Sequence, residues 1–222
     1  MLYIVATPIG NLEDITLRAL KALKEADLIL TEDTRKAGFL LKHYDISKKP
    51  FLSFYEHNED KRIPQVLEQL KQNKTVVLIT SAGTPLISDP GFKLVRECIE
   101  ENIPFTSIPG ASSVINSLVL SGMPSDNFLF LGFLPRKHGK RLKKIQNLKG
   151  YNFTTIFFES AQRLPRTLLE FRQTLGERQC CVCRETTKYY EEIIRGSLSQ
   201  VIRHVSGRKL KGECTIVLKG QE

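Results

Sequence analysis

The first half of the chain alternates short apolar runs with segments of helical periodicity, and this alternation restricts the fold more than any other feature. Strand-forming runs lie at 2–6, 28–31, 50–55, 75–80 and 105–108. Helical segments separate them at 15–26, 36–44, 63–71 and 92–101. In the first of these helices, Leu17, Leu20 and Leu23 are spaced to form one apolar stripe. This βαβα order predicts a parallel sheet with helices on both faces, which is why its strands are almost continuously apolar.

The second half has a different order of elements. A turn at 109–113 opens a helix at 114–120, and further helices are predicted at 139–149, 163–175 and 198–205. Strands are predicted at 128–133, 155–159, 179–184, 191–195 and 213–218. Strands that follow one another without a helix predict a mixed sheet. We therefore predict an α/β protein of two domains, residues 1–113 with a mostly parallel, doubly wound sheet and residues 114–222 with a mixed sheet.

Positive charge is concentrated in the second half. Residues 1–113 carry 14 Lys and Arg against 15 Asp and Glu, whereas residues 114–222 carry 19 against 9. Such asymmetry favours a polyanionic partner such as nucleic acid or a membrane surface. The alternative is a soluble protein that is simply basic.

The cysteines and apolar runs bear on location. The five cysteines are an odd number without a disulfide framework, which indicates reduced thiols and a cytoplasmic protein. The cluster at 180–183 lacks a second ligand pair for zinc, so it is interpreted as a strand with Cys181 and Cys183 on one face. No apolar run reaches the roughly 18 residues of a membrane span, and the N-terminal run predicts a first strand rather than a signal peptide.

Special turns follow several predicted strands, where an open parallel sheet binds ligands. None of them is a G-x-G-x-x-G or a G-x-x-x-x-G-K-[ST] loop, which disfavours a nicotinamide enzyme and an ATPase. The densest turn is 79–91, ITSAGTPLISDPG. Gly83 allows a ligand to approach the backbone closely. Asp89 and Pro90 are interpreted as the N-cap and first residue of the next helix.

Five motifs in this order carry a resemblance over nearly the whole chain. They are TPIGNLEDITLRAL, EDTR, AGTPLISDPG, PGASS and GFLPRK, starting at residues 7, 32, 82, 109 and 132. Together they closely resemble the ribosomal RNA small-subunit methyltransferase I family, part of the larger group with the tetrapyrrole-methylase fold.

The resemblance implies an S-adenosylmethionine site in a cleft between two α/β domains and a homodimer without metal or membrane. It implies methyl transfer to the ribose 2′-hydroxyl of a cytidine in the decoding region of small-subunit (16S) ribosomal RNA, free or in the assembled subunit. The cofactor residues it implies are Gly10, Gly83, Thr84, Pro85, Leu86, Ile87, Ser88, Gly110, Ala111, Ser112, Phe157 and Phe158, the last two through nearby backbone.

A methyl transfer of this kind needs alignment and a base for the alcohol. Asp33 is our first candidate and Glu32 the second, since both follow a predicted strand; Glu56 or His57 also lies past a strand end. The alternative for Asp33 is that it pairs with Arg35 or caps the following helix. The identity of the base stays open on the sequence alone.

A cationic run favours an RNA substrate. Residues 136–149 contain seven Lys or Arg and no acid, a composition suited to phosphate binding, although a solvated helix face is the alternative. The predicted RNA-binding residues are Arg35, Arg136, Lys137, Lys140, Arg141, Lys143, Lys144 and Arg163, with Arg166 as a possible extension.

The chain departs from the family pattern at several positions. Ser81 stands where an Asp is usual and Ala111 where a Pro is usual; Ala161, Gln162 and the pair Tyr189-Tyr190 also differ. The departures at Ser81 and Gln162 keep open the hypothesis of an RNA-binding protein without catalysis. A methylase of small tetrapyrroles on the same fold is the other alternative, and the basic second half argues against it because a small macrocycle does not need so broad a patch.

Overall fold

The structure is a computed structural model that describes residues 1–221. The chain forms two compact units, Met1–Ser112 and a second one that begins at Ser113. The strands of the first unit are β1 Leu2–Val5, β2 Leu28–Thr31, β3 Phe51–Ser53, β4 Val76–Leu78 and β5 Phe105–Ile108. Its helices are α1 Leu17–Glu25, α2 Thr34–His43, α3 Glu59–Lys71 and α4 Phe92–Glu100, with a 3-10 turn at Leu12–Asp14.

The first unit has an all-parallel sheet in the order β3-β2-β4-β1-β5. Its central strands β1, β2 and β4 carry apolar side chains on both faces, as expected for a parallel sheet covered by helices. Val77 packs with the buried residues of α1 and α2 on one face. Val76 and Leu78 pack with those of α3 and α4 on the other. The predicted doubly wound, parallel architecture is therefore confirmed.

Two helices of this unit differ from prediction. Leu17 is 84% exposed, so the stripe predicted for α1 is wrong there, and the buried face is formed by Ala19, Ala22 and Leu23. Helix α3 begins at Glu59, before the predicted start, and keeps Pro64 in its interior. Glu59 and Asp60 in its first turn interact favourably with the helix dipole, which supports the early start.

Between Ser113 and residue 221, the second unit has five more strands and four helices. The strands are β6 Phe128–Phe133, β7 Thr154–Ser160, β8 Gln179–Arg184, β9 Glu192–Ser197 and β10 Glu213–Leu218. The helices are α5 Ser113–Ser121, α6 His138–Gln146, α7 Leu164–Leu175 and α8 Leu198–Val205.

The second sheet is mixed, as predicted, with the order β6-β7-β10-β8-β9. Only β6 and β7 pair in parallel, and the other three pairs are antiparallel. Helices α6, α7 and α8 pack their apolar side chains on one face, together with Phe157 and Val182. Helix α5 packs on the other face through Val114 and Leu118.

The cysteines of β8 are core residues. Cys180 packs on the face covered by three helices, whereas Cys181 and Cys183 lie on the α5 face. All five cysteines are free thiols and buried, and no group of three or more His, Cys, Asp or Glu side chains among residues 1–221 could hold a metal ion. The strand interpretation of this cluster is confirmed. None of the helices in residues 1–221 is long and apolar enough to span a membrane.

Candidate functional site

Three turns of the first unit meet at the carboxyl ends of β1, β4 and β5. Thr7 and Gly83 form an isolated antiparallel bridge, with the Thr7 N–H donating to the Gly83 carbonyl at 2.9 Å and the Gly83 N–H donating to the Thr7 carbonyl at 3.0 Å. The Thr84 hydroxyl donates to the Ala111 carbonyl at 3.3 Å. Backbone and hydroxyl hydrogen bonds thus tie together turns that lie far apart in the sequence.

Small residues line the place where these turns meet. Gly83 has a φ of 83°, and a Cβ there would lie 3.4 Å from Ile9 Cγ2. A Cβ on Gly110 would lie 3.0 Å from the Cβ of Ala6, closer than most real Cβ contacts. We call the residues Gly83, Thr84, Gly110 and Ala111 the shelf. Access to the backbone of the shelf depends on the absence of side chains at Gly83 and Gly110.

The loop after Gly83 has an unusual backbone. Leu86 and Ser88 have φ values of 72° and 65°, a left-handed conformation that bulky residues rarely adopt and that clusters at functional sites. A Cβ on Gly91 would lie only 2.8 Å from Leu86 Cδ1, so glycine is required for Leu86 to pack there. The Gly91 N–H donates to the buried carboxylate of Glu59 at 2.7 Å, which ties the end of this loop to α3.

The start of α4 corrects the sequence interpretation of Asp89. The N-cap is Gly91, with a φ of 125°, and the helix begins at Phe92, so Pro90 is not its first residue. The carboxylate that satisfies the Gly91 N–H comes from Glu59, 32 residues earlier in the chain. A short-range capping pattern could not reveal this long-range partner.

The other predicted cofactor residues are divided between surface and core. Gly10, Ile87, Ser88 and Gly110 are exposed, Leu86, Ala111 and Ser112 are half-buried, and Pro85 is buried. Phe157 is completely buried and packs against Phe171 with ring centroids 5.1 Å apart. Strand β7 pairs on both sides, with β6 and β10, so the backbone near Phe157 and Phe158 is already engaged in the sheet. The side chain of Phe157 is therefore unavailable to a ligand, whereas Phe158 stays half-buried on the α5 face.

The predicted bases differ in their surroundings. Asp33 is the N-cap of α2 and accepts from the Arg35 N–H at 2.9 Å, and its Oδ2 lies 3.3 Å from Arg35 Nη2. The Arg35 side chain lowers the pKa of Asp33, chiefly by this side-chain hydrogen bond. The structural alternative for Asp33, pairing with Arg35 and capping α2, is present. Glu32 is half-buried and forms no hydrogen bond or ion pair with the residues that the structure describes. Glu56 and His57 are both exposed.

Most of the predicted RNA-binding cations lie on the surface of the second unit. Exposed members are Arg136, Lys137, Lys140 and Lys143; Lys149 of the cationic run and Arg166 of the extension are exposed as well. Lys144 is half-buried and donates to the Leu131 carbonyl at 2.8 Å. Arg35, in the first unit, is exposed and pairs with Asp33.

Arg141 corrects the predicted set. It is only 3% exposed, and its Nε and Nη2 donate to Glu170 at 2.5 and 2.7 Å. Its guanidinium lowers the pKa of Glu170 to about 2 and is the largest cause of that shift. Because its hydrogen bonds are directed inside the unit, Arg141 does not present charge to a ligand. Helical periodicity alone would have placed it on the inner face of α6, beside Ile145.

Comparison with known proteins places the chain in a family. Residues 1–202 match the family model of the tetrapyrrole (corrin/porphyrin) methylases. The chain is 48% identical over 221 residues to the ribosomal RNA small subunit methyltransferase I of Thermotoga maritima, covering 100% of this chain and 99% of the relative. The chain belongs to the ribosomal RNA small subunit methyltransferase I family. The member from Halalkalibacterium halodurans is 43% identical over 99% of this chain and 75% of that protein.

Solved structures confirm the fold of this methyltransferase family member. Cobalt precorrin-4 methyltransferase, a cobalamin biosynthetic enzyme, superposes with a TM-score of 0.69 at 19% identity, covering 98% of this chain and 94% of that one. A uroporphyrin-III C-methyltransferase from Thermus thermophilus, complexed with S-adenosyl homocysteine, gives a TM-score of 0.63 at 17% identity, covering 98% and 96%. The resemblance stated from the five motifs is thus confirmed for family and fold.

Three buried glutamates were missed by sequence reasoning. Glu59, Glu159 and Glu170 are each at most 5% exposed, and each one holds backbone or an arginine in place. The sequence contained a sign of two of these glutamates, namely a cation four residues away. Arg163 lies four residues after Glu159, and Arg166 lies four residues before Glu170. That spacing puts a charge pair on one helix side or at a helix start.

Proposed function

We propose that the chain is an S-adenosylmethionine-dependent methyltransferase that modifies the ribose 2′-hydroxyl of a cytidine in the decoding region of 16S ribosomal RNA. The observation that carries the proposal is the shelf at the ends of β1, β4 and β5. There, three strand-end turns are tied together around small residues. Open parallel sheets bind ligands at this edge.

The shelf fits a nucleoside-containing cofactor that must lie close to backbone. Gly83, Thr84, Gly110 and Ala111 would hold S-adenosylmethionine, with the loop residues Pro85 to Ser88 beside them. The cofactor supplies an electrophilic methyl group on a sulfonium. The protein then has to align the acceptor oxygen and accept its proton.

Between the two neighbouring carboxylates, Glu32 is the better candidate for the base. A carboxylate whose pKa is lowered is a weaker base, and the Arg35 hydrogen bonds lower the pKa of Asp33. Glu32 follows the carboxyl end of β2 without a partner among residues 1–221, so its oxygens are open to a substrate hydroxyl. We assign Asp33 the structural role of starting α2 and orienting Arg35.

The exposed cations support RNA as the substrate. Arg136, Lys137, Lys140 and Lys143 are exposed cations in a stretch of sequence without an acid, and such cations can neutralise phosphates. We propose small-subunit ribosomal RNA, free or within the assembled subunit, as the partner. We further propose a cytoplasmic homodimer that uses no metal; light scattering of the purified protein tests the dimer.

A second candidate is a methylase of a small tetrapyrrole, because the superposed solved structures include enzymes with such names. A small macrocycle does not need a cationic stretch of this length without an acid, which favours RNA. The third candidate is an RNA-binding protein without catalysis. Calorimetry tests this candidate, because detectable binding of S-adenosylmethionine would argue against a non-catalytic protein.

The decisive experiment is methylation of small ribosomal subunits prepared from cells that lack the modification. We expect radiolabel from S-adenosylmethionine to appear in 2′-O-methylcytidine after nucleoside digestion, and the Glu32→Gln variant to bind the cofactor but label much more slowly. The matched control is Glu68→Gln, an exposed carboxylate on α3. Label in a base, or cofactor binding without any labelled RNA, would reject the proposal.

A further inference from the structure

The loop 134–137, which joins β6 to α6, has three consecutive carbonyls held by arginine side chains. Arg163 Nη2 donates to the Leu134 carbonyl at 3.1 Å. Arg141 Nη1 donates to the Pro135 carbonyl at 3.1 Å and to the Arg136 carbonyl at 2.8 Å. Two guanidinium groups thus fix the direction of three successive peptide units.

Each of these arginines is held in turn by a buried carboxylate. Arg141 donates through two nitrogens to Glu170, whose side chain is 6% exposed. Arg163 Nε lies 3.2 Å from Glu159 Oε1, and that side chain is 1% exposed. Glu159 also accepts from the Thr167 hydroxyl at 2.8 Å, so it is itself anchored on α7. Planar guanidinium groups suit this task because they keep several donors in a fixed geometry.

The neighbours of this arrangement keep it oriented. Arg166 Nε donates to Glu170 Oε1 at 3.1 Å, and His138 Nδ1 lies 3.0 Å from the same oxygen. Glu170 therefore has three cationic or potentially cationic neighbours but only Arg141 reaches the loop carbonyls. Burying the Arg141–Glu170 pair carries a desolvation cost that well-packed apolar residues would avoid, which points to a role in fixing one conformation.

The same loop carries two exposed cations. The side chains of Arg136 and Lys137 face solvent, while the carbonyls of Leu134, Pro135 and Arg136 are bound from inside the unit. A loop fixed in this way presents its two cations without having to be ordered on binding, and preorganisation of this kind increases affinity.

We propose that Arg141 and Arg163, with Glu170 and Glu159 behind them, are positioning residues that hold loop 134–137 so that Arg136 and Lys137 contact RNA phosphates. The inference rests on the proposed function, because it takes RNA as the ligand. It separates the cations into two groups, those that touch phosphate and those that hold backbone.

The salt dependence of RNA binding distinguishes these groups. Loss of one phosphate contact lowers the slope of log Kd against log salt by about 0.7 for single-stranded RNA. Loss of a positioning residue weakens binding at every salt concentration and leaves the slope unchanged. Arg141→Lys tests this, because it keeps the charge but cannot reach Glu170 and two carbonyls with one ammonium group.

We expect Arg141→Lys to weaken binding of a decoding-region RNA fragment about tenfold, with the slope and the S-adenosylmethionine affinity unchanged. Lys140→Met, an exposed neighbour on α6, is the matched control and should lower the slope with a smaller loss of affinity. Arg163→Lys should behave like Arg141→Lys. Normal RNA affinity in Arg141→Lys, or a slope lowered as in Lys140→Met, would overturn the inference.

Limited trypsin digestion separates failure of this inference from failure of the proposed function. If the wild-type protein binds no RNA, the proposed function fails, and the inference fails with it as a statement about RNA. If it binds RNA, cleavage after Arg136 and Lys137 should be faster in Glu170→Gln, a milder variant that keeps the side-chain volume, because a loop that is less firmly held enters the protease more readily. Unchanged cleavage together with unchanged RNA affinity in that variant would contradict a positioning role.

Discussion

The two units hold their candidate functional residues in different ways. In the first unit, the proposed cofactor shelf is fixed by backbone, because Thr7 and Gly83 exchange two peptide hydrogen bonds and the glycines of the shelf bring no side chain. In the second unit, the loop before α6 is fixed by side chains, with buried carboxylates holding arginines against carbonyls. We therefore expect the shelf to be sensitive to added side-chain volume and insensitive to loss of charge. The loop before α6 should be sensitive to loss of an arginine or carboxylate partner and to loss of its charge.

The largest effect that would test this contrast is expected at Gly83. Gly83→Val should lower S-adenosylmethionine affinity about a hundredfold, equivalent to about 3 kcal/mol, because the added side chain meets Ile9 and opposes the φ of 83°. Isothermal calorimetry measures the affinity and circular dichroism checks the fold. Gly38→Ala on α2, where a Cβ meets nothing within 4 Å, is the control. Unchanged affinity in Gly83→Val would remove the shelf as the cofactor site.

The next effect concerns stability of the second unit. Arg141→Met should reduce the free energy of unfolding by about 3 kcal/mol, since it leaves Glu170 buried without its closest partner. The double variant Arg141→Met/Glu170→Met should recover most of that loss, because both charges are then gone. Urea titration measures both. A double variant as unstable as the single one would show that packing, not charge pairing, determines the loss.

Acid should weaken the second unit through the same carboxylate. Glu170 has its pKa lowered to about 2 by Arg141, and Glu192 has its pKa lowered to about 2, chiefly by Arg208. A carboxyl with a lowered folded pKa stabilises the fold above its ordinary pKa near 4.5 and loses that contribution as pH falls toward 2. Urea midpoints should therefore fall over this window, and less steeply in Glu170→Gln. A variant with the wild-type slope would contradict the assignment.

The smallest effect is expected at Glu59, where a buried side chain holds backbone of the first unit. Glu59 is a buried side chain that binds the Gly91 N–H at the end of the strained loop. Glu59→Gln keeps an acceptor oxygen but loses the charge, so S-adenosylmethionine affinity should fall about threefold. Glu56→Gln, an exposed neighbour, should leave the affinity at its wild-type value. A hundredfold loss would place Glu59 in direct contact with the cofactor instead.

Periodicity and turn chemistry predicted the order of strands and helices, because the central strands β1, β2 and β4 of the first sheet are apolar on both faces. The strand at Phe105–Ile108 and the helix at Leu198–Val205 were predicted to the residue. The prediction was wrong where the surroundings of a residue are formed by residues that are distant in the sequence. Asp89 gave way to Gly91 as N-cap because Glu59 supplies the acceptor, and Leu17 faces solvent because alanines fill the space under α1.

The candidate site was predictable where it depends on glycine and less so where it depends on charge. Gly83 and Gly110 could be identified from the sequence because glycine is itself the residue type that gives the backbone conformational freedom. Arg141 could not be separated from Lys140 by composition, because both are cations in one run. What distinguishes them is the inward direction of Arg141 and the carboxylate of Glu170, which lies 29 residues away.

The buried cysteines can report the unfolding of each unit separately. Cys98 is the only cysteine before Ser113, while Cys180, Cys181, Cys183 and Cys214 all follow it, and every one is at most 3% exposed. Burial raises the pKa of Cys98 to about 11 and that of Cys214 to about 12, so neither reacts readily while folded. Alkylation during partial unfolding should add one mass increment when the first unit opens and four when the second opens. Intact mass spectrometry of the unmodified sequence can therefore follow the opening of each unit separately.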